Sequence, residues 1–226
     1  MDLSVIVPAY NEQNQIKNTV DNLKQISKLA CLDGIDCEII VINDGSTDNT
    51  GKILSGISGI NLINCKNNNG KGYAVKCGLE NLRGNTAAMF DADMAYEPYD
   101  LLSAYKKMQG CGAVFGKRVE RGEYPVYRYA LSNVFRAASG IILKTYGIDA
   151  QCGFKLIKTD VYKKIKKYLT ANDFCLDIQI AYYIKKLNIP YINYPVRVLS
   201  HSPSDVRAVH DGVCLLKELI SLSRQR

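Results

Sequence analysis

Glu38-Ile39-Ile40-Val41-Ile42-Asn43-Asp44-Gly45-Ser46 decides the fold. Four apolar, mostly β-branched residues run together after Glu38 and stop at a polar turn, which reads as a buried strand and its exit. Leu3-Ser4-Val5-Ile6-Val7, halted by Pro8, is a second such run. Ile60–Asn64 and Thr86–Phe90 are two more, the last ending in Asp91-Ala92-Asp93. Between them, residues 12–30 place Ile16, Val20, Leu23, Ile26 and Leu29–Ala30 at helical spacing. Thr47 or Asp48 offers a cap for a short helix, and Gly70-Lys71-Gly72 opens another that runs to about Arg83. Strands alternating with helices predict βαβ units: an α/β protein with a Rossmann-like, mostly parallel sheet flanked by helices. The second half is less regular. Its expected strands are Ala113–Gly116, Cys152–Ile157 and Tyr191–Leu199, and its expected helices 126–146, 159–168, 176–187 and 207–224.

The 226 residues carry no repeat and no linker, so one domain, 1–226, is expected. At 47% hydrophobic and 23% charged the chain has the apolar content for a sizeable core, which excludes a disordered polymer. No apolar run approaches the roughly 18 residues of a membrane span. The N-terminus lacks a basic region and a small-residue cleavage site, which predicts a cytoplasmic protein. A net charge of +7 favours anionic partners: nucleotides, nucleic acid or an acidic membrane surface. Aromatic-interleaved basic motifs are missing, so no nucleic-acid partner is expected. The eight cysteines show no C-x-x-C spacing and read as small buried hydrophobes rather than a zinc site.

Open parallel sheets bind ligands at the carboxyl ends of their strands. That rule makes Pro8–Glu12, Asn43–Ser46 and Asp91–Asp93 neighbours. In an extended segment Asp91 and Asp93 project to the same side, about 7 Å apart at Cα. Crowded carboxylates repel unless a cation joins them, and this oxygen pair suits Mg²⁺ or Mn²⁺ shared with substrate phosphates. The competing reading is a loop pair capping a helix near Glu97-Pro98. Asp44 either accepts hydrogen bonds from a base or ribose, or forms an Asx turn. Lys71 at a helix start meets a diphosphate or is simply solvated; the spacing is not that of a P-loop.

Together, Ser4-Val5-Ile6-Val7-Pro8-Ala9-Tyr10-Asn11-Glu12, Val41-Ile42-Asn43-Asp44-Gly45-Ser46-Thr47-Asp48, Asn69-Gly70-Lys71-Gly72 and Asp91-Ala92-Asp93 resemble the family 2 glycosyltransferases of the GT-A fold. Asp149 followed by Gln151-Cys152-Gly153-Phe154-Lys155 narrows the resemblance to the polyprenyl-phosphate sugar synthases. Ala95, where mannosyl types carry Gln, brings it nearest the dolichyl-phosphate glucosyltransferases. The resemblance implies a nucleotide-sugar-binding half (1–95) and an acceptor half (96–226). Pro8, Tyr10, Glu12 and Asp44 would hold base and ribose, Lys71 would lie near the nucleotide, and Asp91 and Asp93 would bind the metal–diphosphate. Arg118, then Arg128 with Ser132, would meet the acceptor phosphate; a snorkelling surface residue is the alternative for Arg128. Asp177 would hold a sugar hydroxyl, act as a base, or merely begin a helix. The implied reaction is inverting transfer of a hexose to a polyprenyl phosphate, from a UDP-sugar rather than a GDP-sugar. A glycan or protein hydroxyl is the alternative acceptor. The chain departs from the family near its end: it has no Trp, and Ser204-Asp205-Val206-Arg207 carries Asp where Lys is usual. His201 and Arg207 are the candidate donor-loop residues there.

A lipid acceptor implies a protein at the cytosolic membrane face. Helices 126–146 and 207–224 pair apolar residues with Arg and Lys, as interfacial helices do, although core packing explains the same pattern. The Lys163–Lys167 run reads as a solvated face that can also touch anionic head groups.

Overall fold

The computed structural model describes residues 1–120, 140, 145, 147–150, 152–199 and 208–224. The strands are β1 (Leu3–Ala9), β2 (Cys37–Asp44), β3 (Asn61–Cys65), β4 (Thr86–Met89), β5 (Ala113–Glu120), β6 (Lys155–Lys158) and β7 (Tyr191–Arg197). The helices are α1 (Ile16–Leu32), α2 (Thr50–Ser55), α3 (Lys71–Asn81), α4 (Tyr99–Lys107), α5 (Thr159–Ile165), α6 (Cys175–Lys186) and α7 (Ala208–Ser223). All seven strands form one sheet in the order β3-β2-β1-β4-β6-β5-β7. β3, β2, β1 and β4 run parallel, as do β5 and β7; β6 is antiparallel to both β4 and β5.

Each strand divides its side chains between two cores, because successive residues face opposite ways. Ile6, Ile40, Ile42 and Met89 face α3, α5, α6 and α7. Val5, Val7, Ile39, Val41 and Phe90 face α1, α2 and α4. The expected alternation of strand and helix is therefore the observed architecture, with helices on both faces of a mostly parallel sheet.

Several boundaries move. β5 runs to Glu120 rather than stopping at Gly116, because it pairs with β7 along its length. β6 begins at Lys155 rather than Cys152, since Gly153 is committed elsewhere. α1 starts at Ile16, after the polar loop is tied to its neighbour. α4 is an element the periodicity did not separate from its loop. It is short, yet Pro98 precedes it, Asp100 sits in its first turn and Lys106 and Lys107 in its last, all matching the helix dipole. The N-cap of α2 is Asn49, with no side-chain cap hydrogen bond, rather than Thr47 or Asp48; Asp48 instead forms a turn ahead of the helix by accepting the Thr50 N–H at 2.9 Å. The cysteines are free; Cys152 and Cys175 are buried, but Cys31 is exposed, so the buried reading fails for it. Of the expected helix 126–146 only Gly140, which is helical, and Thr145, which is not, fall among the described residues.

Candidate active site

The strand order reverses beside β1: the chain builds β2 and β3 on one side of it, and β4 on the other. Loops leaving β1 and β4 diverge there and open a crevice, the place where such sheets take ligands. Pro8 marks its edge. The β1–β4 ladder ends with the Phe90 N–H on the Ile6 carbonyl, and proline has no N–H to extend it.

The loops after β1 and β2 are stitched together. Asn11 adopts a left-handed backbone (φ 55°), which asparagine tolerates well. Its side-chain oxygen accepts the Thr47 N–H at 2.8 Å, while its own N–H donates to Ser46 Oγ at 3.0 Å. The Glu12 N–H donates to Thr50 Oγ1 at 2.8 Å. Tyr10 and Glu12 are thereby held, half-buried, at the mouth of the crevice.

Asp44, at the end of β2, is only 2% exposed. Its carboxylate accepts the N–H groups of Asn69 (3.0 and 3.1 Å) and Gly70 (2.8 Å), so it clasps the turn that leads into α3. That turn delivers Lys71, the first residue of α3, into the site. Gly70 (φ 99°) is required there, because a side chain would strike the backbone of Asn172 in the loop before α6.

Lys71 Nζ lies 2.5 Å from Asp91 Oδ1 and 5.7 Å from the centre of the Phe174 ring. Burial works against the ammonium, but Asp91, Asp177 and Asp93 outweigh it and hold the group above the ordinary lysine range. Asp93 shows the opposite balance. Burial, then the charge of Asp91, raises its carboxyl above the usual range, although its Oδ1 accepts the Ala95 N–H at 3.1 Å. The two carboxylates lie close enough for Asp91 to disfavour charge on Asp93 even with Lys71 present. Two hard carboxylates in that condition fit a Mg²⁺ or Mn²⁺ ion. Among the described residues no cluster of three or more His, Cys, Asp or Glu side chains can hold a metal. Among the described residues, an ion on Asp91 and Asp93 would therefore find no third ligand of these types.

Gly153 explains the motif around it. A Cβ at this position would fall on the Asp91 carboxylate, so the acid packs directly against the bare backbone. The Gly153 N–H donates to the buried Tyr96 hydroxyl at 3.3 Å. Lys155 Nζ, fully buried, donates to the Cys152 carbonyl and, at 2.8 Å, to Asp177 Oδ1. Asp177 sits in the first turn of α6, where a carboxylate suits the helix dipole.

Arg118, on β5, forks onto Asp149: Nε to Oδ2 and Nη2 to Oδ1, both at 2.7 Å. Burial opposes its charge, but these bonds raise its pKa further, so it stays cationic. Among the described residues the remaining N–H groups of the fork have no hydrogen-bond partner, and such groups suit an anion.

The crevice thus gathers Pro8, Tyr10, Glu12, Asp44, Lys71, Asp91 and Asp93 from one half of the chain and Asp177 from the other. Arg128, Ser132, His201 and Arg207 lie outside the described residues. Lys155, Asp149, Tyr96 and Asn69 complete the arrangement without having been singled out as site residues. A signal existed for Lys155, a charge within the apolar run expected as the strand Cys152–Ile157. Asn69 was visible only as a member of the Asn69–Gly72 motif, because it serves mainly through its backbone N–H.

The chain matches the Glycosyl transferase family 2 profile over residues 4–166. It belongs to that family of GT-A glycosyltransferases and is an enzyme of that class. Its relatives include the dolichyl-phosphate beta-glucosyltransferase of Dictyostelium discoideum, 31% identical over 97% of this chain and 73% of the relative. That of Saccharomyces cerevisiae is 27% identical over 96% and 73%. Among solved structures, glucosyl-3-phosphoglycerate synthase from Mycobacterium tuberculosis, in complex with Mn²⁺, UDP-glucose and phosphoglyceric acid, superposes with a TM-score of 0.78. It covers 98% of this chain and 79% of its own at 16% identity, and so speaks to the fold.

Proposed function

We propose that the protein transfers glucose from UDP-glucose to a polyprenyl phosphate, with inversion at the anomeric carbon. The observation that carries this reading is the Lys71–Asp91–Asp93 cluster at the reversal of strand order, in a chain whose relatives act on dolichyl phosphate. Asp91 and Asp93 would hold Mg²⁺ or Mn²⁺, which when bound neutralises charge building on the departing diphosphate. Lys71, cationic at neutral pH, adds fixed positive charge on the same side. Pro8, Tyr10 and Glu12 seat base and ribose, and Asp44 acts through the Asn69–Gly70 turn that it clasps.

A phosphate acceptor is already ionised at neutral pH and needs positioning more than a strong base. Arg118, presented by Asp149, binds it, with Arg128 and Ser132 completing the pocket. Asp177 accepts a hydrogen bond from a sugar hydroxyl. His201 and Arg207 remain the candidates for closing over the donor.

No helix among the described residues is long and apolar enough to cross a membrane. α7 buries Leu215, Leu219 and Leu222 while exposing Leu216, Lys217 and Ile220. Core packing thus accounts for one face, and the other supports peripheral attachment at the cytosolic membrane surface, where the acceptor lipid is reached.

The test is a donor screen of UDP-glucose, UDP-galactose, UDP-N-acetylhexosamines and GDP-mannose against dolichyl or undecaprenyl phosphate, with and without Mn²⁺. UDP released from UDP-glucose only when the lipid phosphate is present supports the reading. Release driven by a hydroxyl acceptor, or from GDP-mannose alone, refutes it.

A further inference from the structure

Lys155 occupies a place where a lysine is expensive. It opens β6 between Met89 of β4 and Phe115 of β5, both buried, and its side chain is 0% exposed. An unpaired ammonium there would carry a heavy desolvation penalty, and a well-packed apolar side chain of similar volume is often as stable as a buried ion pair or more so. Stability of the strand alone does not call for this residue.

The surroundings show what the ammonium does. It is tied at one side to the Cys152 carbonyl and at another to Asp177 Oδ1 at 2.8 Å. Cys152 directly precedes Gly153, on which the Asp91 carboxylate rests. Asp177 faces the charge of Lys71, and Lys71 is bonded to Asp91. Charges therefore alternate from the interior to the crevice: Lys155, Asp177, Lys71, Asp91. Asp177 itself is 14% exposed, and its Oδ2 has no hydrogen-bond partner among the described residues. One oxygen is fastened to the buried Lys155, and the partial exposure of the side chain leaves the other as an acceptor.

We infer that Lys155 is a positioning residue that fixes Asp177 as the hydrogen-bond acceptor for a hydroxyl of the donor's sugar, and so helps set which sugar is bound. The inference rests on the proposed reading of the crevice as a UDP-glucose site. Lys155 touches neither nucleotide nor acceptor. Its influence runs through Asp177 to the glucosyl ring, which UDP lacks.

That difference supplies the test. Affinities of full-length protein for UDP and UDP-glucose are measured by calorimetry for wild type, Lys155→Met, Asp177→Asn and the double variant. Lys155→Met is expected to weaken UDP-glucose binding about tenfold and leave UDP binding within about twofold. Asp177→Asn should do the same, and the double variant should lose little more than either single one, because both remove one interaction. Equal losses for UDP and UDP-glucose would mark Lys155 as merely structural and overturn the inference. So would tenfold losses that multiply in the double variant, or a Lys155→Met protein that discriminates as wild type does. Where Lys155→Met fails to fold, the near-isosteric Asp177→Asn and the charge-balanced double variant still decide: unchanged UDP-glucose affinity in either overturns the inference. Wild-type protein that binds no UDP-glucose would instead overturn the reading of the crevice, a failure visible before any variant is made.

Discussion

Gly153→Ala adds one methyl group where the Asp91 carboxylate sits. The new Cβ would lie 2.6 Å from Asp91 Cγ and 2.8 Å from Oδ1, with Oδ2 nearer still. Real Cβ atoms do not approach so closely, so Asp91 must swing away by roughly 1 Å or the 152–154 backbone must move. Overpacking of this kind costs about 1–3 kcal/mol. Loss of glycine's freedom in the unfolded chain returns about 0.4–1 kcal/mol, since Gly153 has no left-handed backbone to protect. The net change in stability is thus about 0–2.6 kcal/mol, a fall in Tm of at most about 10 °C for a chain of this size. Function should suffer more. Asp91 loses its 2.5 Å contact with Lys71 and its alignment with Asp93, and a displacement of about 1 Å at a reacting group can cost about 10²-fold in rate. The assay is steady-state UDP release with polyprenyl phosphate, alongside Mn²⁺ affinity by calorimetry and a thermal melt. A folded Gly153→Ala protein whose kcat and Mn²⁺ affinity stay within threefold of wild type would refute the claim that this glycine exists to seat the acid.

Lys71→Met should lower kcat about 10²–10³-fold, the usual loss when one preorganised charge at a developing anion is removed; a change under fivefold would place Lys71 outside the chemistry. Arg118→Lys keeps the charge but cannot fork onto Asp149, so the KM for the lipid phosphate should rise about tenfold while that for UDP-glucose stays constant. Parallel rises in both would argue against an acceptor-side role. Glu38 is buried, which alone would raise its pKa. Hydrogen bonds from Ser4 (2.6 Å) and Arg83, and the charge of Arg83, lower it below 4.5 instead. A depressed folded-state pKa contributes stability that is complete above the unfolded value and drains as pH falls through the folded one. Melting of wild type should accordingly decline below about pH 4.5, while Glu38→Gln should start lower at neutral pH and decline less on acidification. Identical pH profiles would contradict this.

The sheet was legible because its strands are apolar runs of the right length, and the crevice because Asp44 and Asp91–Asp93 each follow one. Sequence spacing could not show what holds those residues. Asp44 reads either as a ligand-facing acid or as a turn former, and its carboxylate turns out to be bonded by the backbone N–H groups of Asn69 and Gly70, which carry no side-chain signature. Lys155 was visible within a quoted motif, but its partner lies 22 residues on, at the start of α6. α4 stayed hidden because two buried residues, Leu101 and Ala104, give too short a stripe to separate helix from loop.

The antiparallel β6 has an implication for exchange between relatives. It comes from the later half of the chain, yet lodges between the strand that leads to Asp91 and the strand that bears Arg118. A recombinant that joined one enzyme's first 95 residues to another's remainder would import a foreign floor beneath the metal-side acid. Acceptor preference could not be grafted without disturbing how the donor is gripped, so the two preferences should be inherited as a unit.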